Sequence, residues 1–283
     1  MGRNQSSGSS WMGVVVLLGM MATCTLFNAF QQGEQADDSA STLEPPTLDD
    51  PEAPDTGLFR STVDETPGIA VAVLIDQSES MADTAPGSRT PKYALARDAV
   101  ARVLEATTEH RRENPEIAVK VGLYPFSDGV STALPIAPYD PAAVRAALDA
   151  LPAPDGNTAI GEAMNAARKD LYASGATRKY ILVVTDGENT WGVPPETVAR
   201  EIRDRSEGGV GMYFVAFDVD PAKFAFVEEV GGEVLPAAGG AQLREALSEV
   251  YRKKILAEAD GYGDGFAQAH DTVRDTATVE SQP

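Results

Sequence analysis

The chain has 283 residues, with 43 acidic against 23 basic side chains and a formal net charge of −20. That acidity excludes a nucleic-acid binder, which needs stripes of Lys and Arg for phosphate, and excludes docking on an anionic membrane surface. One cysteine, Cys24, and two histidines, His110 and His270, exclude an internal disulfide, a Cys/His zinc site and a Ser/His/Asp or Cys/His catalytic arrangement.

Residues 1–10 are polar, carry Arg3 and read as a cytoplasmic stub. Met12 to Phe30 contains no charged side chain. A helix of that length spans about 28 Å, close to the roughly 30 Å hydrocarbon core, so residues 11–30 read as a transmembrane signal anchor. Basic charge before the run and Glu34, Asp37 and Asp38 after it predict a single-pass topology with the N-terminus inside and the remainder extracytoplasmic, periplasmic or at the cell surface. Cleavage of a signal peptide near Ala22-Thr23-Cys24 would instead secrete the chain. Acylation of Cys24 is disfavoured by Met21 and Thr23. All three readings export the rest of the chain.

Residues 31–67 are rich in Asp, Glu, Pro, Ser and Thr and poor in apolar side chains, which predicts a solvated, disordered acidic linker. A folded domain is expected over 68–258 and a flexible acidic tail over 259–283. Within the domain, apolar runs at 69–75, 117–124, 131–137, 179–185, 211–217 and 233–236 read as strands. Helical patterns lie between them. Thr90-Pro91 reads as an N-cap and first helical residue, with Tyr93, Ala96, Val100, Val103, Leu104 and Thr107 on one face. Ile160, Ala163, Met164, Ala167 and Leu171 form a second stripe, and Leu243, Ala246, Leu247, Val250 and Ile255 a third. Helices at 141–150, 194–206 and 221–230 complete the set. His110 and His270 lie among polar neighbours and read as solvated surface residues. The fold class is α/β: a doubly wound, mostly parallel six-stranded sheet with one short antiparallel edge strand and helices on both faces.

In such sheets ligands bind beyond the carboxyl ends of the strands. Asp76-Gln77-Ser78-Glu79-Ser80 follows the first strand and Thr185-Asp186-Gly187 follows a later one. Thr158 sits in Gly156-Asn157-Thr158-Ala159-Ile160-Gly161. These are carboxylates and hydroxyls only, the donors of a hard divalent cation. Two carboxylates leave such an ion short of negative charge, whereas a storage loop would crowd it with them. The residue choice therefore points to an ion that takes one more oxygen from a partner.

These residues resemble the metal-ion-dependent adhesion site of von Willebrand factor type A domains. Asp76-x-Ser78-x-Ser80, Thr158 and Asp186 match it position by position, and residues 68–256 are similar to that domain. The resemblance implies Mg²⁺, with Mn²⁺ or Ca²⁺ as substitutes, ligated by Asp76, Ser78, Ser80, Thr158 and Asp186. It implies that the serines and Thr158 bind directly or through water, that the aspartates often act through water, and that a protein ligand completes the coordination with an acidic residue. Trp191, Glu188, Asn189 and Asp83 are candidates for contacting that partner. Asp83 is similar to the start of a second, adjacent metal site in integrin-type members, although Thr84 stands where a second acid is usual. Asp218 and Asp220 either rim the site or cap the next helix.

The expected role is a membrane-anchored, non-enzymatic recognition domain in adhesion or complex assembly. The alternative is a regulatory or assembly subunit docking an ATPase or secretion complex. An aspartyl-phosphatase reading, with Asp76 as nucleophile, is weakened by Ser78 where such enzymes carry a second aspartate and by the lack of an evident lysine at the edge loops. No Gly-x-Gly-x-x-Gly or P-loop follows the first strand, so no nucleotide is expected.

Overall fold

Six segments, apolar and buried on both faces in the middle of the sheet and more exposed at its edges, assemble into one sheet in a computed structural model that describes residues 57–259. The expected anchor at 11–30, Cys24, the linker up to residue 56, the tail beyond residue 259 and His270 lie outside the described residues. Among the described residues no helix is long and apolar enough to cross a membrane.

The strands are β1 (Thr66–Asp76), β2 (Ala118–Phe126), β3 (Leu134–Pro138), β4 (Ala176–Thr185), β5 (Val210–Phe217) and β6 (Glu233–Ala237). Their order is β3-β2-β1-β4-β5-β6, with β3 antiparallel to β2 and every other pair parallel. The helices are α1 (Lys92–Glu113), α2 (Pro141–Asp149), α3 (Ile160–Ala173), α4 (Pro195–Arg205), α5 (Ala225–Glu229) and α6 (Gly240–Ser248).

Alternation along β1 divides the core. Ile69, Val71, Val73 and Ile75 face one cluster, built with α1, α2 and α6. Ala70, Ala72 and Leu74 face the other, built with α3, α4 and α5. Chain order reverses at β1, which lies between β2 and β4, so the loops leaving β1 and β4 open at a topological switch point.

Four local expectations are corrected. Pro91, not Thr90, holds the cap position of α1, with φ −59° and ψ 150° and no side-chain cap bond. A Thr84–Pro91 bridge and the Lys92 N–H donating to Asp83 O at 2.8 Å keep residue 91 extended, so the helix starts at Lys92. His110 is buried, because it lies on the core side of α1. The helix expected over 221–230 is a 3₁₀ turn, Pro221–Phe224, followed by the short α5. The packed domain also extends ahead of residue 68. The Phe59 ring lies between the guanidinium groups of Arg168 (4.1 Å) and Arg205 (4.2 Å), and Glu65 pairs with Lys179 at 2.6 Å. The third helical stripe holds: Leu243, Ala246, Leu247, Val250 and Ile255 are all buried. The five-residue step from Val250 to Ile255 fits the π-helical stretch Glu249–Leu256 that continues α6.

Candidate metal centre

Three loops meet at the carboxyl ends of β1 and β4, and backbone hydrogen bonds fasten them together. Gln77 N–H donates to Phe126 O at 2.8 Å, Asp155 N–H to Gln77 O at 2.9 Å, and Glu79 N–H to Gly156 O at 3.1 Å. Thr190 N–H donates to Thr158 O at 2.9 Å, and Thr158 N–H returns a bond to Thr190 Oγ1 at 2.9 Å. Asp128 Oδ1 accepts from Asn157 N–H at 2.8 Å and from Asn157 Nδ2 at 2.7 Å, and these donors hold its carboxyl below the usual range. Gly156 permits this turn. Its φ is +82°, and a Cβ there would sit 2.8 Å from the Asp128 carboxyl carbon.

The side chains inside this frame form a chain of contacts. Asp76 Oδ1 accepts from Ser78 N–H at 2.7 Å, and Oδ2 accepts from Thr185 Oγ1 at 2.5 Å. Ser78 Oγ lies 3.2 Å from Ser80 Oγ, and Ser80 Oγ donates to Asp186 Oδ1 at 2.8 Å. Thr158 Oγ1 faces Gly187, where an added Cβ would meet it at 3.6 Å. All five expected ligand residues therefore come to one edge, and of these Asp76, Ser78, Thr158 and Asp186 are buried.

The electrostatics are those of a site short of positive charge. Asp76 is fully buried, and desolvation pushes its carboxyl from 3.8 up to about 6, with Asp186 adding a smaller upward push against the bonds from Thr185 and Ser78. Among the described residues, no group of three or more His, Cys, Asp or Glu side chains is arranged to hold a metal. The donors here are two carboxylates and three hydroxyls, all hard oxygens, which fit Mg²⁺ with retained waters and leave Zn²⁺ or Cu²⁺ without the nitrogen or sulfur they prefer.

The candidate partner contacts divide. Trp191 is 58% exposed beside the site, so it does not pack beneath its own loop. Asn189 organises that loop: its Oδ1 accepts from Gly161 N–H at 3.3 Å and its Nδ2 donates to Trp191 O at 3.0 Å. Glu188 is engaged by Lys223 at 2.6 Å. Asp83 is exposed, and its carbonyl anchors the start of α1. Asp220 caps the turn after β5 by accepting from Ala222 N–H at 3.0 Å, whereas Asp218 reaches the site's rim.

One residue escaped the sequence reading. The ammonium of Lys92 pairs with Asp186 Oδ2 at 2.9 Å and Asp218 Oδ2 at 3.0 Å. A lysine does stand at this edge, contrary to expectation, but two carboxylates hold it. A signal was present: a lysine in the first turn of a helix with no acid there opposes the helix dipole and asks for a compensating anion.

The von Willebrand factor type A domain family matches residues 71–188, the span from β1 through the loop after β4. No curated protein matches the sequence significantly. Among solved structures, the conserved hypothetical protein BatB from Bacteroides thetaiotaomicron is 20% identical, with a TM-score of 0.53 over 68% of this chain and 100% of that one. The PilB minor pilin from Streptococcus sanguinis is 16% identical, with a TM-score of 0.56 over 70% of this chain and 63% of that one. The pilus adhesin SpaC from Lactobacillus rhamnosus GG is 12% identical, with a TM-score of 0.53 over 69% of this chain and 31% of that one. This chain thus spans less than two thirds of the two pilus proteins. The likenesses establish a Rossmann-type fold of the von Willebrand factor A kind.

Proposed function

We propose that this von Willebrand factor type A domain holds one divalent cation, Mg²⁺ in the first place, on Asp76, Ser78, Ser80, Thr158 and Asp186, and uses it to bind an acidic side chain of a protein partner. The observation that carries the reading is the continuous contact chain Asp76–Ser78–Ser80–Asp186 around a buried, under-compensated carboxylate at the switch point of the sheet. When bound, the ion supplies a Lewis-acidic centre for a carboxylate oxygen. Ser78, Ser80 and Thr158 contribute neutral oxygens, so the ion keeps positive charge for the partner. Thr185 orients the Asp76 carboxylate, and the Asn189-braced loop presents Trp191 as an aromatic contact for the partner. The role is recognition, in adhesion or complex assembly, and not catalysis. The domain works outside the membrane, held by the segment 11–30.

The test is a pulldown from membranes using the full-length protein, with and without EDTA, beside Ser80→Ala. Partner recovery is expected in Mg²⁺ and lost in EDTA and in Ser80→Ala. Equal recovery in all three would refute metal-mediated binding. A reporter fused to the C-terminus tests the topology, and activity confined to the cytoplasm would refute it.

A further inference from the structure

We infer that Lys92 decides which divalent ion this site accepts: by occupying Asp186 Oδ2 and the Asp218 carboxylate, its ammonium leaves Asp186 one oxygen to offer and so favours Mg²⁺ over Ca²⁺. This rests on the metal-site reading above and concerns a residue outside the expected ligand set.

The placement of the ammonium is built, not incidental. Lys92 is the first residue of α1, its side chain is 9% exposed, and the Asp186 side chain it meets is fully buried. Both partners of its ammonium are carboxylates, Asp186 Oδ2 at 2.9 Å and Asp218 Oδ2 at 3.0 Å. The backbone brings all three parts together. Lys92 N–H is tied to Asp83 O at 2.8 Å, directly beyond the Ser78–Ser80 turn. Asp218 adopts φ +58°, a left-handed conformation that Asp tolerates better than most side chains, with its N–H bonded to Ala237 O at 2.8 Å.

The two oxygens of Asp186 are consequently divided. Oδ1 faces Ser80 and the hydroxyl cluster, while Oδ2 is spent on Lys92. Ca²⁺ takes six to eight oxygens and uses carboxylates with both oxygens. Mg²⁺ keeps octahedral geometry, single oxygens and several waters. A carboxylate with one oxygen locked away costs Ca²⁺ more than Mg²⁺. The ammonium also offsets the charge of the ligand Asp186, and affinity for Ca²⁺ rises with the count of charged ligands.

The test is calorimetric titration of the purified full-length protein with MgCl₂ and, separately, CaCl₂, for wild type, Lys92→Met, Lys92→Gln and Asp218→Asn, with a thermal melt to verify folding. In Lys92→Met, Ca²⁺ affinity is expected to rise about tenfold and Mg²⁺ affinity only a few-fold, moving the ratio toward Ca²⁺. Lys92→Gln keeps a donor without the charge and shifts the ratio in the same direction by less; it serves as the deciding variant where Lys92→Met does not fold. Asp218→Asn leaves Lys92 on Asp186 and keeps the wild-type ratio. A folded Lys92 variant with an unchanged ratio, or with weakened Ca²⁺ binding, overturns the inference while leaving the metal site intact. An Asp218→Asn shift as large as that of Lys92→Met and opposite in direction overturns it too, by assigning the effect to net charge alone. No binding of either ion by the wild type refutes the metal reading itself, and this inference with it.

Discussion

Replacing Asp76 by Asn is expected to stabilise the protein in the absence of metal and to abolish its response to Mg²⁺. Asp76 is fully buried at the end of β1, and desolvation lifts its carboxyl from 3.8 to about 6. The sign follows from proton binding. A group that holds its proton more tightly when folded adds stability that is complete below the unfolded value, near pH 4, and is lost as pH rises through about 6. At about 1.4 kcal/mol per pH unit, the gap corresponds to about 3 kcal/mol. Asn keeps the geometry. Its Oδ1 accepts from Ser78 N–H, and its Nδ2 faces Thr185 Oγ1, whose hydroxyl can donate instead to Gly187 O at 3.1 Å. Urea unfolding of wild type and Asp76→Asn in EDTA therefore gives curves that agree near pH 4 and separate by about 2–3 kcal/mol at pH 7.5, with the variant more stable. Saturating Mg²⁺ closes the gap: at about 100 times the dissociation constant it adds about 2.7 kcal/mol to the wild type and nothing to the variant. A wild type whose stability in EDTA does not fall between pH 4 and 6.5 relative to the variant would refute the reasoning, because the carboxylate would then be compensated by protein groups and not by an ion.

Three further perturbations separate the site from its support. Gly161→Ala places a Cβ 2.0 Å from Val193 O, so the loop bearing Trp191 has to move; a loss of about 1–3 kcal/mol in urea unfolding and reduced partner binding are expected, with Mg²⁺ binding retained by calorimetry. Phe59→Ala removes a ring held between two guanidinium groups at 4.1 and 4.2 Å, which is expected to cost about 1–3 kcal/mol by urea unfolding and to leave Mg²⁺ affinity unchanged. Tyr251→Phe deletes the 2.7 Å hydrogen bond to Thr107 inside the core, where both residues are fully buried, and is expected to cost about 1–3 kcal/mol in the same assay.

The fold was legible because strands buried on both faces must be apolar throughout. The runs at 69–75 and 179–185 fall inside β1 and β4, and the segments between them carry clean helical stripes. The ligand candidates were legible for a related reason: hydroxyls and acids placed directly after buried strands have to emerge at the sheet's carboxyl edge. Side-chain partners at long range were not. The acidic segment before residue 68 looked too polar to pack, but Phe59 finds two arginines from α3 and α4 that no local pattern announces. His110 read as polar surface, yet helix rotation turns it inward.

What the sequence determined by itself is a set of oxygens, Asp76, Ser78 and Ser80 after one strand, Asp186 after another and Thr158 just ahead of a helix, placed to reach one edge. Only the tertiary structure decided their electrostatic condition. The strand order β2-β1-β4-β5 brings Asp76, Asp186 and Asp218 to adjacent loops, and the path of residues 83–92 delivers the Lys92 ammonium between two of them. Charge interactions depend on distance and burial, and residues 94 positions apart in sequence acquire both only when the sheet closes.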